Sequence, residues 1–242
     1  MCTEKERKKF LIDSCRKTGI ELTDLQTEQF LIYYDFLIEK NRVMNLTAIT
    51  EYEEVVQKHF VDSLSIAGFL DMNQYRTLID VGTGAGFPGV PLKIVFPHLK
   101  VVLMDSLNKR ISFLNELIDK IRCENISAVH ARAEDGARNS DYREQFDLCV
   151  SRAVANLSSL SEYCLPFVKK GGKFVSYKST NIDEEIERSK SAVFLLGGKM
   201  TQKEEFFLPD SDIGRSFVVI DKIKNTPSKY PRKAGMPSKE PL

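Results

Sequence analysis

The chain has 242 residues, 42% of them hydrophobic and 29% charged, with a formal net charge of +1. That length holds one substantial core and a small accessory segment. The balanced charge excludes a global electrostatic footprint for nucleic acid or membrane, so a polyanion would have to be met by a local basic surface. No apolar run approaches the ~18 residues of a membrane span, and the charged start, MCTEKERKKF, lacks a signal-peptide core. Five scattered cysteines without a Cys-x-x-Cys pair fit reduced thiols in a cytoplasm, not a disulfide framework or a zinc site. Without a secretion signal, the sequon Asn45-Leu46-Thr47 is a coincidence. A monomeric cytoplasmic protein is the expectation.

Residues 1 to about 72 read as helical throughout. Thr23 and Gln26 form a capping box, after which Phe30, Tyr33, Tyr34 and Leu37 recur at helical spacing. A second helix is predicted over 51–70, with Val56, Phe60, Leu64 and Ala67 on one face. Each such helix buries a single stripe and needs a partner surface, for which the larger domain that follows, 73–223, is the candidate.

From Thr77 onward, short β-rich runs alternate with helical stretches. Strands are predicted at 77–81, 100–104, 126–130, 146–151 and 173–178, and helices at 88–96, 109–122, 156–169 and 183–196. That alternation predicts right-handed βαβ units, an α/β fold with a parallel sheet and helices on both faces. Runs 199–207 and 215–223 read as an antiparallel pair at one edge. The tail, 224–242, is basic, with four prolines in its last sixteen positions, which excludes a regular helix or a central strand.

The strongest chemical signal is Asp80-Val81-Gly82-Thr83-Gly84-Ala85-Gly86-Phe87-Pro88-Gly89, a strand running into alternating glycines and then a helix. Glycine lets the backbone turn sharply and approach a ligand closely. Two cofactor classes use such a loop. Gly84-x-Gly86-x-x-Gly89 spells the dinucleotide fingerprint, with Asp105 at the distance of a ribose acid. The loop begins at Gly82, however, directly after the acidic Asp80. A pyrophosphate prefers a helix N-terminus with no carboxylate ahead of it. S-adenosylmethionine has no phosphate and carries an ammonium and a sulfonium, which an acid at the strand end suits. The methyl-donor reading therefore beats the nicotinamide one, with Asp80, Gly82, Gly84 and Gly86 as cofactor residues.

Further rim residues follow from the doubly wound pattern. Asp105 closes the second strand, where it either accepts the ribose hydroxyls, the preferred reading, or caps the next helix. Ala133 and Glu134, after the third strand, leave room for a flat adenine and an acceptor for its amino group, with a solvated loop acid as the alternative. The fourth strand delivers Ser151 and Arg152, whose cation suits the donor's carboxylate or the incoming acceptor. His59 and Asp62, at i and i+3, either form a catalytic couple or lock the helical segment to the sheet, and the lock is preferred. His98 and His130 have no metal-like spacing, and no metal is expected.

Taken together, these residues resemble the bacterial small-subunit ribosomal RNA methyltransferase G family, also called glucose-inhibited division protein B. The resemblance runs through Asn45-Leu46-Thr47, His59-Phe60-Val61-Asp62-Ser63-Leu64, the glycine loop ending Gly86-Phe87-Pro88-Gly89, Ala133-Glu134 and Ser151-Arg152-Ala153. It ends on Tyr230-Pro231-Arg232-Lys233-Ala234-Gly235-Met236-Pro237. It implies a class I S-adenosylmethionine-dependent fold and methyl transfer to N7 of one guanine in 16S rRNA. By matching position it implies cofactor contacts at Gly82, Phe87, Ala133, Glu134 and Arg152, with Phe87 packed against the donor. Guanine N7 has a free lone pair, so no general base is required, and positioning carries the chemistry. Lys178, Tyr230, Arg232 and Lys233 are then the candidate RNA contacts. The rival readings are a methyltransferase with a small-molecule or protein acceptor, a nicotinamide oxidoreductase, and an RNA-binding module with a dead cofactor loop.

Overall fold

The computed structural model describes residues 3–152 and 155–242. Two helices open the chain, α1 (Glu4–Arg16) and α2 (Asp24–Met44), each started by a capping box, Thr3 with Glu6 and Thr23 with Gln26. After α2, residues 45–51 leave the helical path, so the segment is not helical throughout. Asn45 ends α2 in the left-handed region (φ 50°), a conformation asparagine tolerates. The predicted second helix is broken into α3 (Tyr52–Val55), a π-helical stretch over Val56–Val61, α4 (Asp62–Leu64) and a 3-10 turn over Ser65–Gly68. The wide π turn keeps Val56 and Phe60 buried while changing the phase of His59 and Asp62.

The βα alternation follows as predicted: β1 (Thr77–Val81), α5 (Gly89–Val95), β2 (Lys100–Asp105), α6 (Asn108–Ile121), β3 (Ile126–His130), a short α7 (Ala133–Gly136), β4 (Phe146–Ser151), α8 (Leu157–Cys164), β5 (Val168–Lys178) and α9 (Asp183–Leu195). Helix α8 stops earlier than predicted because Pro166 cannot continue it, and β5 starts earlier to fill the gap. Then come β6 (Gly198–Phe207) and β7 (Gly214–Lys222). The sheet order is β3-β2-β1-β4-β5-β7-β6, with β7 antiparallel to both neighbours. The last hairpin is thus the antiparallel edge pair that was expected, with β7 as its inner strand against β5 and β6 as its outer one.

Strand side chains alternate between two cores, as a pleated sheet requires. Leu78, Leu148, Val175 and Val219 face α2, the π turn, α5 and α6, whereas Ile79, Cys149, Phe174 and Val218 face α8 and α9. The N-terminal helices thus share a continuous core with the sheet. Tyr33 of α2 is fully buried and donates its hydroxyl to the Ala85 carbonyl at 2.6 Å, fixing α2 against the glycine loop. The tail, expected to be irregular, is ordered along α8 and ends in one helical turn, α10 (Met236–Lys239).

Gly86 is the tight point of this packing. Its φ is +103°, and a Cβ there would meet the Tyr33 hydroxyl and a Val90 methyl, each at 2.8 Å. Gly84 also has positive φ (+61°), but a Cβ there would meet nothing within 4 Å. Backbone strain alone costs about 1–2 kcal/mol, and overpacking adds about 1–3 kcal/mol. Gly86→Ala should therefore destabilise the fold distinctly more than Gly84→Ala, as read from urea midpoints; equal losses would refute the packing argument.

Candidate functional site

A crevice of about 860 Å³ opens at the carboxyl ends of β1, β2, β3 and β4, where the strand order reverses between β1 and β4. Open α/β sheets bind ligands at such a switch point, and the volume suits a small organic molecule.

Its floor is the glycine loop, which two carboxylates hold. Asp80 Oδ2 accepts from the Thr83 hydroxyl (2.7 Å) and the Gly89 amide (2.8 Å), while Asp105 Oδ2 accepts from the Gly84 amide (2.9 Å). Asp80 is completely buried beneath the turn and does not line the crevice. Burial raises its pKa to about 7, against the lowering effect of those two hydrogen bonds. Its expected place at the ammonium of a ligand is thus corrected: it shapes the loop from below. Gly86 is corrected likewise, since it packs under Tyr33 and is not among the crevice residues. Gly82, Gly84 and Phe87 do line it.

Asp105 stands at the crevice wall with Oδ1 on the Leu107 amide (2.9 Å) and Oδ2 within 3.1 Å of Arg110 Nη1. Leu107 itself occupies the cap of α6 and no side chain caps that helix, so the helix-cap alternative fails. Ala133 and Glu134 form the first turn of α7 at the far end of the crevice. Glu134 is nearly buried; Oε1 accepts from the Gly235 amide at 2.9 Å, and Oε2 has no partner among the described residues.

The opposite end is built around Phe87, whose ring stacks on Tyr33 (5.2 Å between centroids) and on His59 (4.6 Å), with the Arg152 guanidinium 5.1 Å above it. His59 and Asp62 do not bond each other; Arg152 links them. Its Nη1 donates to Asp62 Oδ2 (2.8 Å) and to the Lys58 carbonyl, and Nη2 lies 3.3 Å from His59 Nδ1. An arginine can only donate, so Nδ1 accepts and Nε2–H is left to donate to the Thr47 hydroxyl at 2.9 Å. Nδ1 also lies 3.1 Å from the Lys58 carbonyl, a contact that this tautomer leaves unbonded. Burial first, then the Arg152 charge, lowers the His59 pKa to about 3. The imidazole is neutral with both nitrogens engaged, which fits a lock rather than an acid–base couple.

Sequence reasoning missed two walls. Leu46 and Thr47 face the crevice from the loop after α2, which Asn41 organises by accepting from both their amides and donating to the Thr47 carbonyl. Tyr163 of α8 and Gly235 of the tail line the crevice together with Ala133 and Glu134. The Asn-Leu-Thr and Ala-Gly-Met-Pro runs were visible as motifs, but nothing in their spacing placed them at the crevice.

Among the candidate RNA contacts, the structure gives three other tasks. Lys178 Nζ is held by the Ala155 carbonyl (2.6 Å) and Glu185 (2.7 Å). The Tyr230 ring is buried in the second core and has no open face for a base. Arg232 grips the fully buried Glu162 with Nε and Nη2, and its amide donates to the same carboxylate. Lys233 alone of the four is exposed. Among the described residues, no group of histidines, cysteines or carboxylates could hold a metal ion.

Residues 26–212 match the family model described as rRNA small subunit methyltransferase G. The chain belongs to the rRNA small subunit methyltransferase G family. It is 57% identical to the ribosomal RNA small subunit methyltransferase G of Lachnoclostridium phytofermentans over 231 residues, covering 96% of each chain. The protein of that name from Acetivibrio thermocellus is 54% identical over 241 residues, 99% of each. Among solved structures, a SAM-dependent O-methyltransferase from Thermotoga maritima superposes with a TM-score of 0.52 at 18% identity, over 78% of this chain and 72% of that one. That likeness speaks for the fold alone, the class I methyltransferase fold that the sequence predicted. No helix among the described residues is long and apolar enough to cross a membrane.

The His59 environment sets a pH dependence. The folded pKa lies below the unfolded one, so between about 6.5 and about 3 the unfolded chain binds the extra proton, and stability is lost as pH falls through that window. Relative to His59→Gln, the wild-type protein should therefore lose stability on acidification from pH 6.5, by at most about 1.4 kcal/mol per pH unit. Denaturant titrations of both proteins between pH 4.5 and 7.5 check this; parallel stability curves would show that His59 is not held neutral.

Proposed function

We propose that the crevice binds S-adenosylmethionine and that the protein methylates N7 of a guanine in small-subunit (16S) ribosomal RNA, acting as a cytoplasmic monomer. The observation that carries the cofactor half is how the amides of the glycine loop are used. The amides of Gly82 and Thr83 donate to the Met104 carbonyl, those of Gly86 and Phe87 to the Thr83 carbonyl, that of Gly84 to Asp105 and that of Gly89 to Asp80. A loop that cradles pyrophosphate must leave such groups free for it. Among the described residues of this loop only the Ala85 amide lacks such an acceptor; the others are given to carbonyls and carboxylates of the loop and of the flanking strand ends, which suits a phosphate-free adenosyl ligand better than a dinucleotide. The antiparallel β7 inserted beside β5 also departs from the parallel dinucleotide order.

The residues present fit the proposed ligand. The open space above Gly84 admits close backbone approach. Gly82, Gly84 and Phe87 would hold the methionine end, Asp105 the ribose hydroxyls, and Ala133 with the free Oε2 of Glu134 the adenine and its amino group. Arg152, with its charge met by Asp62, bounds the end toward the acceptor. When bound, S-adenosylmethionine supplies an electrophilic methyl group on sulfur. The chain's task is then to align the acceptor and exclude water, which is worth up to about 7–11 kcal/mol in well-oriented systems. N7 carries no proton at neutral pH, so a neutral, fully engaged His59 is what such a site needs; an amine or hydroxyl acceptor would call for a base. That same point disfavours the small-molecule and protein acceptor readings.

With Lys178, Tyr230 and Arg232 otherwise occupied, the RNA backbone is left to Lys233 and to Arg132. The latter is an exposed guanidinium on the crevice rim with no partner among the described residues.

Two measurements test the proposal. Mass spectrometry of small-subunit rRNA should show one 7-methylguanine that is lost when the gene is deleted and restored by the purified protein with labelled donor. Calorimetry should show that wild type binds S-adenosylhomocysteine but not NADH, and that Gly84→Ala weakens this binding at least about tenfold by filling the approach to the loop. Unchanged affinity in that variant would end the cofactor assignment.

A further inference from the structure

A second cavity, of about 630 Å³, adjoins the crevice and shares His59, Arg152 and Ala155 with it. It is walled by the ends of β5 and β7 and by the π turn, and it contains Asp62, Tyr177, Ser179 and Arg215. Four cations line it; Lys58 is paired with Glu54 and Lys178 with Glu185, while Arg152 and Arg215 share the single carboxylate of Asp62, so one positive charge remains after pairing.

Asp62 is the organising group. It is 2% exposed, and its two oxygens hold two guanidinium ions, Arg152 Nη1 on Oδ2 at 2.8 Å and Arg215 Nε on Oδ1 at 2.9 Å. Arg215 also donates Nη1 to the Gly214 carbonyl, which leaves Nη2 without a partner among the described residues. A long flexible side chain fixed at two of its nitrogens has surrendered its conformational freedom before any ligand arrives, the usual preparation of a recognition group. Asn156 is prepared in the same way: its Oδ1 caps α8 on the Ser159 amide (2.9 Å), so only its Nδ2 is free to donate.

The cavity thus offers oriented donors and a positive field beside the place where the methyl would be delivered. On its Hoogsteen edge a guanine presents two acceptors, N7 and O6. N7 must stay free to receive the methyl, which leaves O6 for a donor. An adenine presents a donor in place of O6 and would face the guanidinium with like polarity.

We propose that this cavity seats the target guanine and that Arg215, positioned by Asp62, reads the base by donating Nη2–H to O6. This rests on the guanine-N7 reading above and adds to it the residue that sets base specificity.

The test compares wild type and Arg215→Gln on small-subunit rRNA carrying, at the methylated position, either guanine or 2-aminopurine, which keeps N7 and lacks O6. Wild type should lose about ten- to a hundredfold in kcat/KM when O6 is removed, the size of one charge-assisted hydrogen bond. Arg215→Gln should lose a similar factor on guanine and almost nothing further on 2-aminopurine, with S-adenosylhomocysteine affinity within twofold of wild type. Ser179→Trp, which fills the cavity from a side chain outside that bonding network, should abolish methylation while leaving the same affinity intact. If Arg215→Gln loses equal factors on both RNAs, the residue does not read O6; if Ser179→Trp methylates at the wild-type rate, the base sits elsewhere. A wild-type protein inactive on guanine RNA would instead remove the functional reading, and this inference with it.

Discussion

A carboxylate buried at the end of β1 controls the geometry on which the crevice depends. Asp80 has no contact with solvent, yet it gathers the Thr83 hydroxyl and the Gly89 amide and so closes the turn from strand to helix. Burying such a group is costly unless hydrogen bonds compensate, and here one oxygen is doubly engaged while the other has none. Burial raises its pKa toward neutrality, against the lowering pull of those two hydrogen bonds. Asp105 holds the same loop from the side through Gly84. Suspended between two acids, the loop has most of its amides engaged and presents glycine backbone to the crevice, which suits a ligand without phosphate.

Charge around the crevice is handled in fixed pairs. Arg152 and Arg215 share Asp62, Arg110 meets Asp105, Lys178 meets Glu185, and Arg232 meets Glu162. Several of these carboxylates are buried, so removing the cation would leave an ion stranded in a poor solvent, which is far more disruptive than losing a surface pair. The pairs serve as scaffolding: they hold donors at set positions next to a ligand that itself carries positive charge. A net charge of +1 is compatible with an RNA partner, since phosphate contact needs only a few locally placed basic groups.

Much of the architecture was legible because it rests on local periodicity. The strand and helix alternation, the Thr23 capping box and the position of the glycine loop all appear where the pattern placed them. Boundaries failed where a single residue overrode the pattern, as Pro166 does at the end of α8. The hairpin of β6 and β7 was recognised at one edge of the sheet, but not which of its strands would pair with β5, because strand order depends on contacts far apart in sequence. The tail misled for a related reason. A run of prolines and cations looks like a free basic arm, yet Arg232 finds a buried glutamate seventy positions earlier in the chain.

The sequence by itself determined the fold class, the crevice loop and Gly82, Gly84, Asp105, Ala133 and Glu134 as lining residues, because each lies at or just past a strand end that the alternation locates, whereas Phe87 came from the family resemblance. Only the tertiary structure decided what the charged groups do. It turned Asp80 inward, joined His59 to Asp62 through Arg152, brought the loop after α2 and the tail to opposite walls, and opened a second cavity beside Arg215. A charge takes its role from the partners that fill its hydrogen bonds in a medium of low polarity, and those partners arrive from across the chain.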